Sequence, residues 1–187
     1  MSVRKLLAAT VMIAPVLAVG DAAAPEWVEQ ARQKSAQLGS SLVAELREAM
    51  ATQGPVGGVE LCNTRAPEIA HQVSGNRFEV SRTALRVRNP ANAPDEWEKM
   101  VLRRFEQSME RGVNPAGLEV WDVKVDGNGR IGRYMKAIPT GQQCIVCHGD
   151  TIAPPLKEAI QRLYPEDQAT GFEQGDLRGA FSVKVNL

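Results

Sequence analysis

One segment, LEVWDVKV from Leu118 to Val125, alternates apolar and polar residues with a single break at Val120-Trp121. This alternation is typical of a β-strand that turns one face to the core. The next four residues, Asp126-Gly127-Asn128-Gly129, are turn formers that tolerate positive φ, and residues 131–138 supply a return strand. The segment therefore predicts a β-hairpin, and its turn is not a calcium loop because no acidic ligand follows Asp126.

Further strands are predicted on both sides of the hairpin, at 77–88 and 179–186, from a similar but less regular alternation. A short helix over 156–164 precedes the last of them. Four strands spaced in this way do not suit an all-helical bundle. We therefore expect an α+β domain in which an antiparallel sheet carries flanking helices.

The other helices are predicted from apolar residues at every fourth position. The longest is expected over 25–52, to end at Gln53-Gly54-Pro55, and a second, short helix is expected to begin at Pro67. Asp95, with Glu98 three residues later, opens a third. The apolar stripe of the longest helix suits packing against the core, and a homodimer face is the alternative.

The hairpin leads into Cys144-Ile145-Val146-Cys147-His148, in which two cysteines are separated by two residues and a histidine follows directly. This spacing is the attachment signature of c-type haem. Each thiol forms a thioether with a haem vinyl group, and the adjacent imidazole reaches the iron. The motif therefore predicts one covalent haem c per chain, held by Cys144 and Cys147, with His148 as an axial ligand.

Two other interpretations of this cysteine pair are weaker. A thioredoxin-like redox dithiol normally starts a helix after a strand, whereas Gln142-Gln143 precedes this pair. A structural zinc site needs four ligands, often as two close pairs. Beyond the motif only Cys62 and His71 remain as soft ligands, and they are not closely spaced.

The first twenty residues have the parts of a secretory signal: basic Arg4-Lys5, an apolar run over 6–19, and small residues before Asp21. The run is shorter than the roughly 20 apolar residues of a membrane span, so we expect cleavage, with an uncleaved anchor as the alternative. Because c-type haem is attached outside the cytoplasm, the signal agrees with the motif. We expect a bacterial periplasmic protein whose residues 21–187 form a single domain without a membrane span.

The charge balance gives little indication of a partner. The chain has 22 basic and 22 acidic residues, and loss of Arg4 and Lys5 with the signal leaves a formal charge of −2. Neither nucleic acid nor an anionic membrane surface is expected to bind such a chain.

Cys62 is the cysteine that remains when the motif has used two of three. The residues alone leave three explanations open for it: a bond between molecules, a small buried apolar side chain, or a ligand of the iron. His71 is the only histidine besides His148, so a second histidine ligand would have to be His71. Methionine is the common second ligand in electron-transfer cytochromes c. The methionines that remain as alternative ligands are Met50, Met100, Met109 and Met135.

Three basic residues, Arg82, Arg86 and Arg88, follow one another in the predicted strand 77–88. Haem propionates attract such side chains, and we assign Arg88 to the cofactor on this ground. Solvated charges on the outer face of a strand are the more common explanation of such a pattern.

Four blocks carry a resemblance to a known family. They are ELCNTRAPEIA at 60–70, residues 82–98 with RNPANAPDEWE at 88–98, CIVCHG at 144–149, and GDLRGA at 175–180. Together they span nearly the whole mature chain, and the NPANAP block is more specific than the haem motif. In these blocks the sequence resembles a family of bacterial c-type haem proteins with a PAS-like fold, long catalogued as a domain of unknown function.

The resemblance implies a PAS-like antiparallel sheet and a haem iron held between His148 and Cys62. A thiolate donates charge to iron and stabilises the ferric state, so the reduction potential is expected well below that of His/Met cytochromes. On reduction the iron–sulfur bond is expected to weaken, which provides a redox-controlled two-state element.

Three functions are compared on this basis. A periplasmic sensor of redox state or of a diatomic gas is favoured, and it requires a separate signalling partner. A low-potential electron carrier, which requires a redox partner, is the alternative. A catalytic haem enzyme is not expected, because two protein ligands leave no open position on the iron.

Overall fold

The computed structural model describes residues 23–127 and 129–187, and the predicted signal peptide lies outside them. The α-helices of this part of the chain are α1 Glu26–Ser74, α2 Glu96–Glu110, α3 Ile145–His148 and α4 Pro154–Leu163. Its strands are β1 Phe78–Thr83, β2 Glu119–Asp126, β3 Gly129–Pro139 and β4 Leu177–Asn186. Short 3₁₀ helices occur at Pro90–Asn92, Pro115–Gly117 and Gln142–Cys144. Within the described ranges, each helix is too short or too polar to cross a membrane.

The four strands form one antiparallel sheet in the order β1-β4-β3-β2. The predicted hairpin is β2 and β3, with Val120 opposite Met135 and Asp126 opposite Gly129. Helices cover both faces of the sheet. The predicted α+β class, with a PAS-like antiparallel sheet, flanking helices and a long N-terminal helix, is confirmed.

The first strand is shorter than the predicted 77–88. It pairs with β4 only as far as Thr83 opposite Ala180, and there the Thr83 hydroxyl donates to the carbonyl of Asn92. The chain then leaves the sheet. Arg82 therefore lies on a strand, whereas Arg86 and Arg88 lie in the connection to α2.

The long N-terminal helix α1 folds back on itself at Gly54, whose φ of 71° and ψ of −174° are not helical. The Lys34 ammonium donates to the Val73 carbonyl, and Arg65 pairs with Glu45, so the arms 26–53 and 55–74 lie side by side in opposite directions. The predicted helix end at Gln53-Gly54-Pro55 is confirmed by this turn.

The prediction that a separate helix begins at Pro67 is wrong. Arm 55–74 continues through Pro67 without a break, although a proline cannot donate the intrahelical hydrogen bond at that position. Ala66 and Ile69 on either side of it are buried in the core. Tertiary packing therefore maintains the helix where local preference favours a new start.

Two apolar cores lie on opposite faces of the sheet. Both arms of α1 pack on the face that carries Tyr134, Val183 and Val185. Helix α2 packs on the other face, which carries Met135 and Ala180. Leu38 and Leu42 belong to the apolar stripe of α1 and are buried, so this stripe packs against the core. The homodimer face stays a prediction.

The start of α2 is fixed by the predicted capping residues. The Asp95 carboxylate accepts from the Glu98 backbone, and the Glu98 carboxylate accepts from the Asp95 backbone. Glu98 is buried and also accepts a hydrogen bond of 2.6 Å from Ser182 in β4. The capping box therefore ties α2 to the sheet as well as starting the helix.

Candidate functional site

The cysteine–histidine motif lies on a short helical segment that follows β3, so the expectation that Gln142-Gln143 gives no strand-then-helix context is wrong. Cys144 ends a 3₁₀ helix, and α3 carries Cys147 and His148, all of them half-buried. The thiols of Cys62, Cys144 and Cys147 are unpaired. Gly149 then turns the chain so closely that a Cβ there would lie 2.7 Å from the Ile145 carbonyl oxygen. The motif therefore presents two thiols and one imidazole from a single tight segment.

The imidazole of His148 is held in one tautomer. Its Nδ1 lies 2.7 Å from the carbonyl oxygen of Ala169, and a carbonyl only accepts, so Nδ1 carries the hydrogen. Burial, with the nearby positive charges of Arg178 and Arg88, lowers the pKa of His148 to about 2. The ring is therefore neutral and keeps the Nε2 lone pair that a metal ligand needs.

The segment 167–172 packs against the motif and forms hydrogen bonds with it. The backbone N–H of Phe172 donates to the carbonyl of His148 at 2.9 Å, and that of Gly171 donates to the carbonyl of Gly149 at 3.2 Å. The Phe172 ring meets the His148 ring edge to face, with centroids 6.2 Å apart. Sequence reasoning missed this segment, which has neither a motif nor a periodic pattern.

Arg88 joins the motif to this segment. Its guanidinium is buried and Nη2 lies 2.6 Å from the Cys147 carbonyl, 3.1 Å from the Ala169 carbonyl and 3.0 Å from the Asp167 carboxylate. Its Nε is also buried but has no hydrogen-bond partner among residues 23–127 and 129–187. Arg88 therefore has one nitrogen engaged by protein and another still able to donate.

Cys62 reaches the same site from the C-terminal arm of α1. Burial raises the pKa of its thiol, while the positive charges of Arg82, Arg88 and Arg178 oppose the increase. The same three arginines act on His148, and the charge of Cys62 in turn raises the pKa of Cys147. The fold thus brings Cys62 into one electrostatic environment with the motif, 85 residues away along the chain.

Apolar residues close one side of the site. Cys147 packs against a cluster formed by arm 55–74 and α4, which comprises Val59, Leu156, Ile160 and Tyr164. Burial raises the pKa of the Tyr164 hydroxyl, and a negative charge on Cys62 would raise it further, so this ring faces the same site. A flat apolar group at the motif would therefore meet apolar side chains on this side.

Three arginines supply positive charge to the site. Arg82 and Arg178 are half-buried, and burial together with charge repulsion among the arginines lowers the pKa of Arg178 to about 10. Both stay protonated at neutral pH, so the cluster suits anionic groups such as carboxylates. Arg178 was not singled out as a site residue, although it lies in the GDLRGA block. Arg86 instead stacks on Phe172, 3.6 Å from the ring centroid, and donates to the Thr170 carbonyl.

The other candidate ligands lie apart from this cluster. His71 is exposed in the last turn of α1, and Met100 is 59% exposed on α2. Met135 is fully buried in the core beneath α2. Met50 packs near Gly58 between the arms of α1, and Met109 lines a surface groove with Val113 and Pro115.

Comparison with known proteins agrees with the fold and identifies a family. The family model described as Tll0287-like matches residues 22–186. The crystal structure of the cyanobacterial haem protein Tll0287 is similar, with a TM-score of 0.66 and 25% sequence identity over 88% of this chain and 97% of that chain. Among curated proteins, none matches. Because the family model covers nearly the whole chain, this protein belongs to the Tll0287-like family.

Proposed function

We propose that the protein is a periplasmic c-type cytochrome with one haem, attached through Cys144 and Cys147 and ligated by His148 and Cys62. The observation that carries the proposal is the packing of Cys147 against Val59, on the helical arm that also carries Cys62. The charges of nearby arginines act on all three side chains, Cys62, Cys147 and His148. The similar solved structure is described as that of a haem protein.

The residues present fit a haem. The two motif thiols are unpaired and so are available for thioether formation. His148 donates to Ala169 through Nδ1, so its Nε2 carries no hydrogen and keeps a lone pair for a metal. The unpartnered Nε of Arg88 is the kind of buried donor that a propionate satisfies, and Arg82 and Arg178 supply further positive charge.

A bound haem supplies a one-electron couple between ferric and ferrous iron. Cys62 contributes a thiolate, which donates charge and favours the ferric state. His148 contributes a neutral imidazole whose orientation is set by Ala169 and Phe172. The arginines offset part of the negative charge of the thiolate and of the propionates. Together these residues favour a potential below that of His/Met cytochromes.

A sensor of redox state or of a diatomic gas is the function we favour. His148 lies on α3, whereas Cys62 lies on the separate arm 55–74 of α1. A ligand carried by a separate arm is able to leave the iron while the thioethers and His148 stay in place. Loss of Cys62 on reduction would open a coordination position and alter the arm, and a separate signalling protein would receive that change.

A low-potential electron carrier is the second candidate. Val146, between the two haem cysteines, is 41% exposed, so the edge of the motif is accessible to a redox partner. A carrier keeps both ligands in both oxidation states. We do not propose catalysis, because a haem held by both His148 and Cys62 would have no open position for a substrate.

The first experiment compares the holoprotein with Cys62→Ala by absorption and electron paramagnetic resonance (EPR) spectroscopy, in ferric and ferrous forms. We expect the ferric wild type to give a low-spin signal of thiolate type that Cys62→Ala loses. His71→Ala is the matched control and should keep the wild-type signal. An unchanged spectrum in Cys62→Ala would remove Cys62 from the iron and favour the carrier with a different sixth ligand.

A further inference from the structure

The carbonyl of Ala169 accepts hydrogen bonds from two sides. His148 Nδ1 lies 2.7 Å from the oxygen, and Arg88 Nη2 lies 3.1 Å from it. The same Nη2 carries two hydrogens and also lies within hydrogen-bonding distance of the Cys147 carbonyl and the Asp167 carboxylate. Arg88 therefore shares with His148 the acceptor that fixes the imidazole.

Asp167 holds both Arg88 and the shared peptide in position. One carboxylate oxygen lies 3.0 Å from Arg88 Nη2, and the other accepts from the Ala169 backbone N–H at 2.8 Å. The side chains of Arg88 and Asp167 are only 8% and 9% exposed. Because the buried carboxylate contacts Arg88 with one oxygen and the Ala169 backbone with the other, it leaves the guanidinium little freedom to move away from the carbonyl.

We propose that Arg88 is a positioning residue that sets the reduction potential of the haem iron through the Ala169 carbonyl and His148. The inference rests on the proposed function, because it requires His148 to ligate the iron. It concerns Nη2, and it is separate from the contact proposed between Nε and a propionate.

The direction of the effect follows from the shared acceptor. A carbonyl that accepts only from an imidazole N–H pulls on that proton, makes the ring a stronger donor to the metal and so stabilises ferric iron. A guanidinium on the same oxygen withdraws electron density from it and weakens the bond to the imidazole. Its positive charge also disfavours the more positive ferric iron. Arg88 therefore holds the potential higher than an unshared carbonyl would.

The test is a potentiometric titration of the holoprotein and of Arg88→Lys, which keeps the charge but has no planar fork to span the three acceptors. We expect the equilibrium constant for reduction to fall at least threefold, which is about 28 mV for a one-electron couple. Arg77→Lys is the matched control, since it makes the same exchange at an exposed arginine that contacts Gln30 and Asn186 instead of Ala169, and its potential should equal that of wild type. A wild-type potential in Arg88→Lys overturns the proposal.

Pulsed EPR of the ferric proteins supplies a second readout, because the quadrupole coupling of the remote imidazole nitrogen reports the strength of its N–H bond. We expect this coupling to change in Arg88→Lys and to stay constant in Arg77→Lys. An unchanged coupling in Arg88→Lys contradicts the proposal even if its potential shifts. Absence of a remote imidazole signal from wild type would instead refute ligation by His148, and with it the proposed function.

Asp167→Asn tests the proposal independently should Arg88→Lys fail to retain haem. Without its charged partner, Arg88 is free to move away from the Ala169 carbonyl, so the hydrogen bond from His148 to that carbonyl should strengthen. We expect the quadrupole coupling of the remote imidazole nitrogen to shift in the direction of a stronger hydrogen bond, and a coupling of wild-type size in Asp167→Asn is incompatible with the proposed arrangement.

Discussion

Three residues from distant parts of the chain form the centre of the site: His148, Cys62 and Arg88. The tautomer of His148 is set by a backbone carbonyl 21 residues further along the chain. Cys62 lies among three arginines, which oppose the effect of burial on its thiol. At this scale the chemistry depends on which charges and carbonyls surround each side chain, and less on the residue types alone.

Release of Cys62 on reduction leads to a prediction about gas binding. Ferrous wild type should bind carbon monoxide, because a weakened iron–sulfur bond leaves a position that the gas can take. Cys62→Ala should bind it at least tenfold faster, since no protein ligand has to leave first. Stopped-flow absorption measures both rates. The sensor proposal would be contradicted if ferrous wild type kept its thiolate spectrum and bound neither carbon monoxide nor nitric oxide.

Among the elements, the two arms of α1 matter most for the site. The turn at Gly54 reverses the chain, so that arm 55–74 carries Cys62 back along arm 26–53. The conformation of Gly54, with φ of 71° and ψ of −174°, lies in a region that is almost confined to glycine. The placement of Cys62 therefore depends on one backbone conformation eight residues earlier.

A substitution at this turn should destabilise the protein through the backbone alone. A Cβ at Gly54 meets no atom within 4 Å, so Gly54→Ala introduces no clash. The strained φ and ψ should still cost about 1–3 kcal/mol of unfolding free energy, measured by urea denaturation. Gly117→Ala, also in open space but without positive φ, is the control and should change it by less than about 0.5 kcal/mol. Equal stability of Gly54→Ala and wild type would contradict this prediction and show that the backbone of the turn adopts another conformation without cost.

Across the whole molecule, one polar cluster connects the N-terminal helix to the sheet. Glu119 of β2 pairs with Arg32 of α1 and accepts a hydrogen bond of 2.9 Å from Tyr134 of β3. The Arg32 contact lowers the pKa of Glu119 below its ordinary value. Burial, together with Glu119, raises the pKa of Tyr134. The cluster thus links two layers of the domain and is sensitive to pH at both extremes.

The free energy of unfolding should therefore fall on both sides of neutral pH. The Glu119 contribution is present above the ordinary pKa of about 4.5 and is lost as pH falls through the lower folded value. The Tyr134 contribution is present below about pH 10 and is lost as pH rises towards the higher folded value. Urea denaturation at several pH values measures these losses. Glu119→Gln should flatten the acid side and Tyr134→Phe the alkaline side, and variants as pH-sensitive as wild type would contradict these assignments.

Local patterns in the sequence determined much of this protein. The alternation around Leu118–Val125 predicted the hairpin, Asp95 with Glu98 predicted the start of α2, and Gly54 predicted the end of the first helical arm. The cysteine spacing at Cys144 and Cys147 predicted the attachment motif. Each of these depends on residues within a few positions of one another, where backbone preference and periodicity act directly.

Only the tertiary structure decided how the site is assembled. Residues alone left Cys62 with three explanations, and its position beside the motif depends on the reversal of α1 and on packing against α4. The helix that continues through Pro67 and the early end of β1 also differ from what the local sequence predicted. The Ala169 carbonyl meets His148 and Arg88 through contacts that span 21 and 81 residues. Such contacts arise from burial and from the need to pair buried polar groups, and no local pattern records them.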